Sequence, residues 1–143
     1  MSLSLAQANT IAQAALADGR RRGFDPLTVA VLDVGGHLIA LQREDGSGNL
    51  RPDIAAGKAW GALGMGFGTR ELAARAEKMP AFVGALAAVS GGRVVPVPGG
   101  VLVRDPDGTL LGAVGISGDT SDNDELSAVA GIEAAGLTAV TGR

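Results

Sequence analysis

Cysteine and tyrosine are absent from this 143-residue chain, and aromatic side chains make up only 3% of it. Without cysteine there is no disulfide framework, no thiolate metal site and no thiol nucleophile. With one tryptophan, three phenylalanines and 46% hydrophobic residues, the core has to be built from Ala, Val, Leu and Ile. Histidine occurs once, at His37, and lysine only twice against ten arginines. A net charge of −3 and the lack of a clustered basic face exclude a nucleic-acid footprint. The single basic run, Arg20 to Arg22, falls where a first helix should end, and cations there complement the helix dipole. No charged segment followed by an apolar stretch opens the chain, and no apolar run nears the roughly 18 residues of a membrane span. The expected location is cytoplasmic.

What is present argues for one domain. The length suits a single hydrophobic core, and no linker divides it. The 23 glycines are scattered at turns and strand edges rather than in a repeat. Residues 4–22 place Leu5, Ala8, Ile11, Ala12, Ala15 and Leu16 on one helical face, opened by a capping box of Ser4 and Gln7. Two β-rich runs, 27–33 and 37–43, flank Val34-Gly35-Gly36 and predict a hairpin. A helix over 53–64 is interrupted by Gly57 and Gly61, which strip one face for a close neighbour: a subunit, a strand or a ligand. Short helices follow over 69–77 and 80–88. Then come a brief extended edge at Val94–Pro98, strand 100–104, a turn at 105–108 and strand 109–117. The final segment, 121–140, carries Leu126, Val129, Ala130 and Leu137 at helical spacing. Strands and helices in separate runs predict an α+β fold with an antiparallel sheet of about five strands.

The chemistry-bearing residues concentrate in GISGDTSDNDEL, residues 115–126. Gly112, Gly115 and Gly118 lack the spacing of a dinucleotide loop. Asp119, Ser121 and Asn123 have calcium-loop spacing, but Asp124 stands where glycine is needed and Ala130 where the bidentate glutamate is needed. No metal site is expected. A cap formed by Ser121 or Asp122 fits the segment better, and it leaves Asp124 and Glu125 free to face a cleft. Lys58, in an Ala- and Gly-rich helix, is their candidate partner, an anion-holding group or a proton carrier. His37, just after the glycine turn, reads as a turn residue or a ligand. Ser117 and Gly118 add a hydroxyl and backbone donors beside the acids.

VAVLDVGGHLIALQRED, DIAAGKAWGALGMGFGTREL, MPAFVGALAAVSGGRVVPVPGGVLV and GAVGISGDTSDNDE, in that order and over nearly the whole chain, resemble the GlcG/HbpS family, which includes the C-terminal domain of PduO-type proteins. The resemblance implies a profilin-like fold, homo-oligomers that are often octamers, and binding of a small ligand, haem or a related tetrapyrrole among them. It matches at His37, Lys58, Gly99, Gly100, Ser117, Gly118, Asp124 and Glu125, the expected ligand-binding residues. Besides His37, the candidate iron ligands are Met65, Met79 and Lys78. Two other activities fit the same resemblance. One is an enzyme acting on a small carboxylate or keto acid, with Lys58 or Glu125 moving a proton. The other is an assembly scaffold in a metabolic operon.

Overall fold

The computed structural model describes residues 1–143. The elements are α1 (Leu5–Arg22), β1 (Thr28–Asp33), β2 (Leu38–Arg43), α2 (Arg51–Met65), α3 (Thr69–Lys78), α4 (Pro80–Val89), β3 (Gly100–Arg104), β4 (Leu110–Ser117), α5 (Ser121–Ala134) and β5 (Thr138–Val140). The five strands form one antiparallel sheet in the order β2-β1-β4-β3-β5. This is the α+β fold with an antiparallel sheet that the separated runs of strands and helices predict, in the profilin-like form that the family resemblance implies.

Two alternating sets of side chains divide the sheet's faces. Val29, Val31, Val101, Val103, Val114 and Ile116 join Ile11, Ala12 and Ala15 of α1 and Ala128 and Ile132 of α5 in the larger core. Leu102 and Ala113, one residue out of step, join Ala59 and Ala62 of α2 in the smaller. The period-2 alternation of strands sorts them to opposite faces. At two points on the α2 side the sheet carries no side chain. A Cβ on Gly115 would collide with the Ala55 carbonyl of α2, and one on Gly100 with the Lys58 carbonyl. Glycine at these two positions lets a helix lie directly on the sheet.

Both hairpins form where expected, and the same device closes them. Asp33 Oδ1 accepts from the N–H groups of Gly35 and His37, and Asp105 Oδ1 accepts from those of Asp107 and Thr109. In the first turn only Gly36 takes a left-handed φ, 83°. The Ser4/Gln7 capping box of α1 is present. Arg21 and Arg22 pair with Asp18 and Arg20 with Glu44, so the basic run belongs to the fold.

Three expectations need correction. The final segment is not one helix: α5 stops at Ala134, Gly136 turns the chain with φ 74°, and residues 138–140 form an edge strand beside β3. Its buried face carries Asp124, Glu125, Ser127, Ala128, Gly131 and Ile132, whereas Leu126 is exposed. Residues 94–98 form no strand. They run across α2, and the Arg93 carbonyl occupies the space a Cβ on Gly57 would need. The close neighbour of the glycine-stripped helix is this chain's own backbone.

Candidate functional site

Lys58, Gly99, Gly100, Ser117, Gly118, Asp124 and Glu125 converge where the start of β3, the end of β4 and the first turn of α5 meet α2. Lys58 is 2% exposed and Asp124 1%. The Lys58 ammonium donates to the Ile116 carbonyl at 2.9 Å and to Asp124 Oδ2 at 3.1 Å. The second Asp124 oxygen accepts from the Asp119 N–H at 2.9 Å. Gly99, with φ 119°, lies against the lysine side chain, and its missing Cβ leaves room for the amine. Burial lowers the Lys58 pKa and raises that of Asp124, in each case against the attraction of the partner charge.

The remaining members of the cluster are also spoken for. Ser117 accepts from Arg51 at 3.0 Å. Thr69 Oγ1 accepts from the Gly100 N–H at 2.8 Å and ties α3 to β3. Glu125, 2% exposed, is gripped by Arg70 Nε at 2.9 Å and by Arg143 at 3.2 Å, and Arg70 reaches on to Asp122. Sequence reasoning paired both acids with Lys58 and missed Arg70. The only signal available was that a buried glutamate needs a cation, and ten arginines were candidates. The cap of α5 is likewise Thr120, whose Oγ1 accepts from the Asn123 N–H at 3.2 Å, not Ser121 or Asp122. Asp119 receives the Asp25 N–H, the Thr120 N–H and the Asn123 amide, and those bonds lower its pKa.

This cluster is closed within the protomer. Lys58 and Glu125 are buried and bonded on every side chain atom that would move a proton, so the geometry lends no support to acid–base chemistry there. The apolar-floored cavity lies elsewhere, about 450 Å³ between the first hairpin, α2 and the turn after α4, lined by Leu32, Gly36, Leu38, Asp53, Trp60 and Arg93 among others. The Arg93 guanidinium stacks on Trp60, 4.0 Å from the ring centroid. None of the buried cluster lines it.

His37 stands apart from Lys58, between Gly36 and Leu38, which line that cavity. Its side chain is 82% exposed and places Nδ1 3.2 Å from Asp33 Oδ1. Hydrogen bonds from the His37 and Gly35 N–H groups hold the Asp33 carboxyl below its usual pKa, so at neutral pH it is a carboxylate and only accepts. The hydrogen bond between them is therefore donated by Nδ1. Met65 lines a separate groove between α2 and α4, and Met79 joins α3 to α4. No helix is long and apolar enough to cross a membrane.

Comparison with known proteins agrees with this architecture. A protein from Citrobacter freundii, called an uncharacterized 15.0 kDa protein in the dhaT-dhaS intergenic region, is 32% identical over 127 residues, 89% of this chain and 87% of its own. The crystal structure of a PduOC:heme complex superposes with a TM-score of 0.85 at 27% identity, covering 96% of this chain and 97% of that one. Klebsiella pneumoniae ORFY gives 0.84 at 27% identity over 94% and 90%, and a Streptomyces reticuli HbpS double mutant 0.79 at 29% identity over 93% and 86%. The family model described as haem degrading protein HbpS-like matches residues 3–133, and the chain belongs to that HbpS-like family.

Proposed function

We propose that this protein binds haem or a related tetrapyrrole, with His37 holding the iron. The His37–Asp33 pair carries the reading. A metal-binding histidine ordinarily gives its second ring nitrogen to a carboxylate, which fixes the tautomer and raises the basicity of the ligating nitrogen. Asp33 is the carboxylate placed to do this, and the imidazole stands exposed on the turn whose Gly36 and Leu38 line the 450 Å³ cavity. Arg93 is the cation available to a propionate, and Leu32, Leu38 and Trp60 are the apolar surface available to the ring. Bound haem supplies redox and small-molecule ligation at iron; the chain supplies the nitrogen, its orientation and the surrounding apolar wall. Lys58, Gly99, Gly100, Ser117, Gly118, Asp124 and Glu125 serve this reading as the buried seam that holds α2 on the sheet.

Titration with haem tests it. The Soret band should shift and saturate at one haem per His37; Asp33→Asn should weaken binding by about 10–100-fold, and His37→Ala should change the Soret position itself. A linear, unsaturable absorbance rise, or a spectrum indifferent to His37→Ala, would overturn the assignment. Homo-oligomers, octamers among them, are part of the same proposal, and light scattering counts the subunits.

A further inference from the structure

Ten residues line the 450 Å³ cavity, and only two of them are charged, Asp53 and Arg93. Asp53, Ala56, Gly57 and Trp60 line it from one face of α2, the i, i+3, i+4, i+7 stripe of a helix. Asp53 therefore stands two turns, about 10 Å, before Trp60, and Trp60 is where the Arg93 guanidinium stacks. Neither charge forms a salt bridge within the chain. The cavity wall is acidic at one end and basic at the other.

Arg93 is held with part of its side chain already engaged. Its Nε donates to the Ser90 carbonyl at 3.2 Å, and one face of the guanidinium is taken by Trp60. Its own carbonyl packs where Gly57 has no Cβ, which fixes the backbone that carries it against α2. The two terminal nitrogens remain, a planar fork that matches one carboxylate. Asp53 is exposed. The helix dipole accounts for an acid in the first turn of α2, and the stripe turns this one toward the cavity.

We propose that Asp53 is a specificity-determining residue: the cavity takes one carboxylate, at Arg93, and Asp53 turns a second away. This rests on the tetrapyrrole reading and adds how the ligand is oriented. The two propionates of a porphyrin leave the same edge of the ring. An edge laid along α2 brings one acid to Arg93 and the other toward Asp53. Like charges repel there, and the apolar side chains of Leu32 and Leu38 in the same wall reduce the screening. The ring therefore enters with one propionate on Arg93 and its second directed to solvent, and a ligand with a single carboxylate meets no such penalty.

The test uses the full chain and metal-free porphyrins, so that no iron ligand enters. Trp60 is the single tryptophan, and quenching of its fluorescence reports occupancy of the cavity. Protoporphyrin, with both propionates free, is compared with its monomethyl ester. Methylation also adds apolar surface, so the readout is the change in preference between variants. Asp53→Lys should move the preference toward the diacid by about five- to tenfold, a repulsion removed and a partly exposed ion pair gained. Asp53→Asn should move it the same way by about twofold, and both shifts should shrink in about 1 M salt. Arg93→Gln should weaken both ligands about tenfold. Asp53 is exposed, so the fold can survive its replacement, and circular dichroism verifies that. A preference unmoved by both Asp53 variants overturns the proposal; if haem still saturates with a Soret band that depends on His37, the ligand reading survives that result. If neither porphyrin quenches Trp60 and the haem spectrum ignores His37, both fall. Porphyrins that respond to Asp53 while haem ignores His37 leave Asp53 standing and remove His37.

Discussion

Lys58 and Asp124 show how much one buried ion pair can decide. Taking two charges out of water costs several kcal/mol each, and their attraction repays this only while both are present. Lys58→Met leaves Asp124 buried and uncompensated, so it should lose about 3–5 kcal/mol in urea unfolding. Adding Asp124→Asn should recover much of that loss, because the amide oxygen can still accept the Asp119 N–H while no net charge is buried. Similar losses for the single and double variants would show that the pair is not the cause. Asp119 gives the complementary pH prediction. Its folded pKa lies below the ordinary 3.8 because three donors stabilise the carboxylate. The stability this adds is therefore complete above about pH 3.8 and is lost as pH falls through the folded value. In Asp119→Asn the stability difference from wild type should shrink as the medium is acidified below 3.8; a constant difference from pH 7 to pH 2.5 would contradict the role.

At the level of elements, the start of α5 measures how far the residues could be read. Thr120, Ser121 and Asp122 all carry an oxygen that can cap, and the choice among neighbours depends on which has extended backbone. Thr120 does, with φ −64° and ψ 153°, a fact set by the chain leaving β4 and absent from local composition. Thr120→Ala should thus cost about 1 kcal/mol, while Ser121→Ala should stay within about 0.5 kcal/mol; the reverse order in thermal melts would return the cap to Ser121. Patterns with local signals were legible: α1 with its capping box, both hairpins with their turns, and the presence of β3 and β4. The end of α5 was not, since Leu137 continues the helical spacing and only the left-handed Gly136 breaks it. Glycines misled in a different way. Gly57 and Gly61 advertise a close neighbour without naming it, and the neighbour is residues 93–95 of the same chain. Gly115→Ala, which forces a methyl into the α2 backbone, should cost at least about 1–3 kcal/mol by overpacking.

For the whole molecule, the sequence grouped residues that do meet but left open what kind of place they make. The sequence offered Lys58 either Asp124 or Glu125, and the structure pairs it with Asp124. Whether the meeting place was a cleft or a sealed seam depends on how closely α2 rests on glycine, which only the packing reveals. The same packing divides the molecule unevenly. α1, α5 and α2 clasp the sheet, whereas α3 is held to the body mainly by Thr69 on Gly100 and by Arg70 on Glu125 and Asp122, and α4 hangs from α3. A helix pair with so few buried contacts opens locally at less cost than the sheet does. Amide exchange should accordingly be faster in α3 and α4 than in β1 and β4. Arg70→Ala should speed α3 and α4 selectively, since Arg143 still satisfies part of Glu125. If exchange accelerated equally through the sheet, Arg70 would be holding the core together rather than fastening this pair to it.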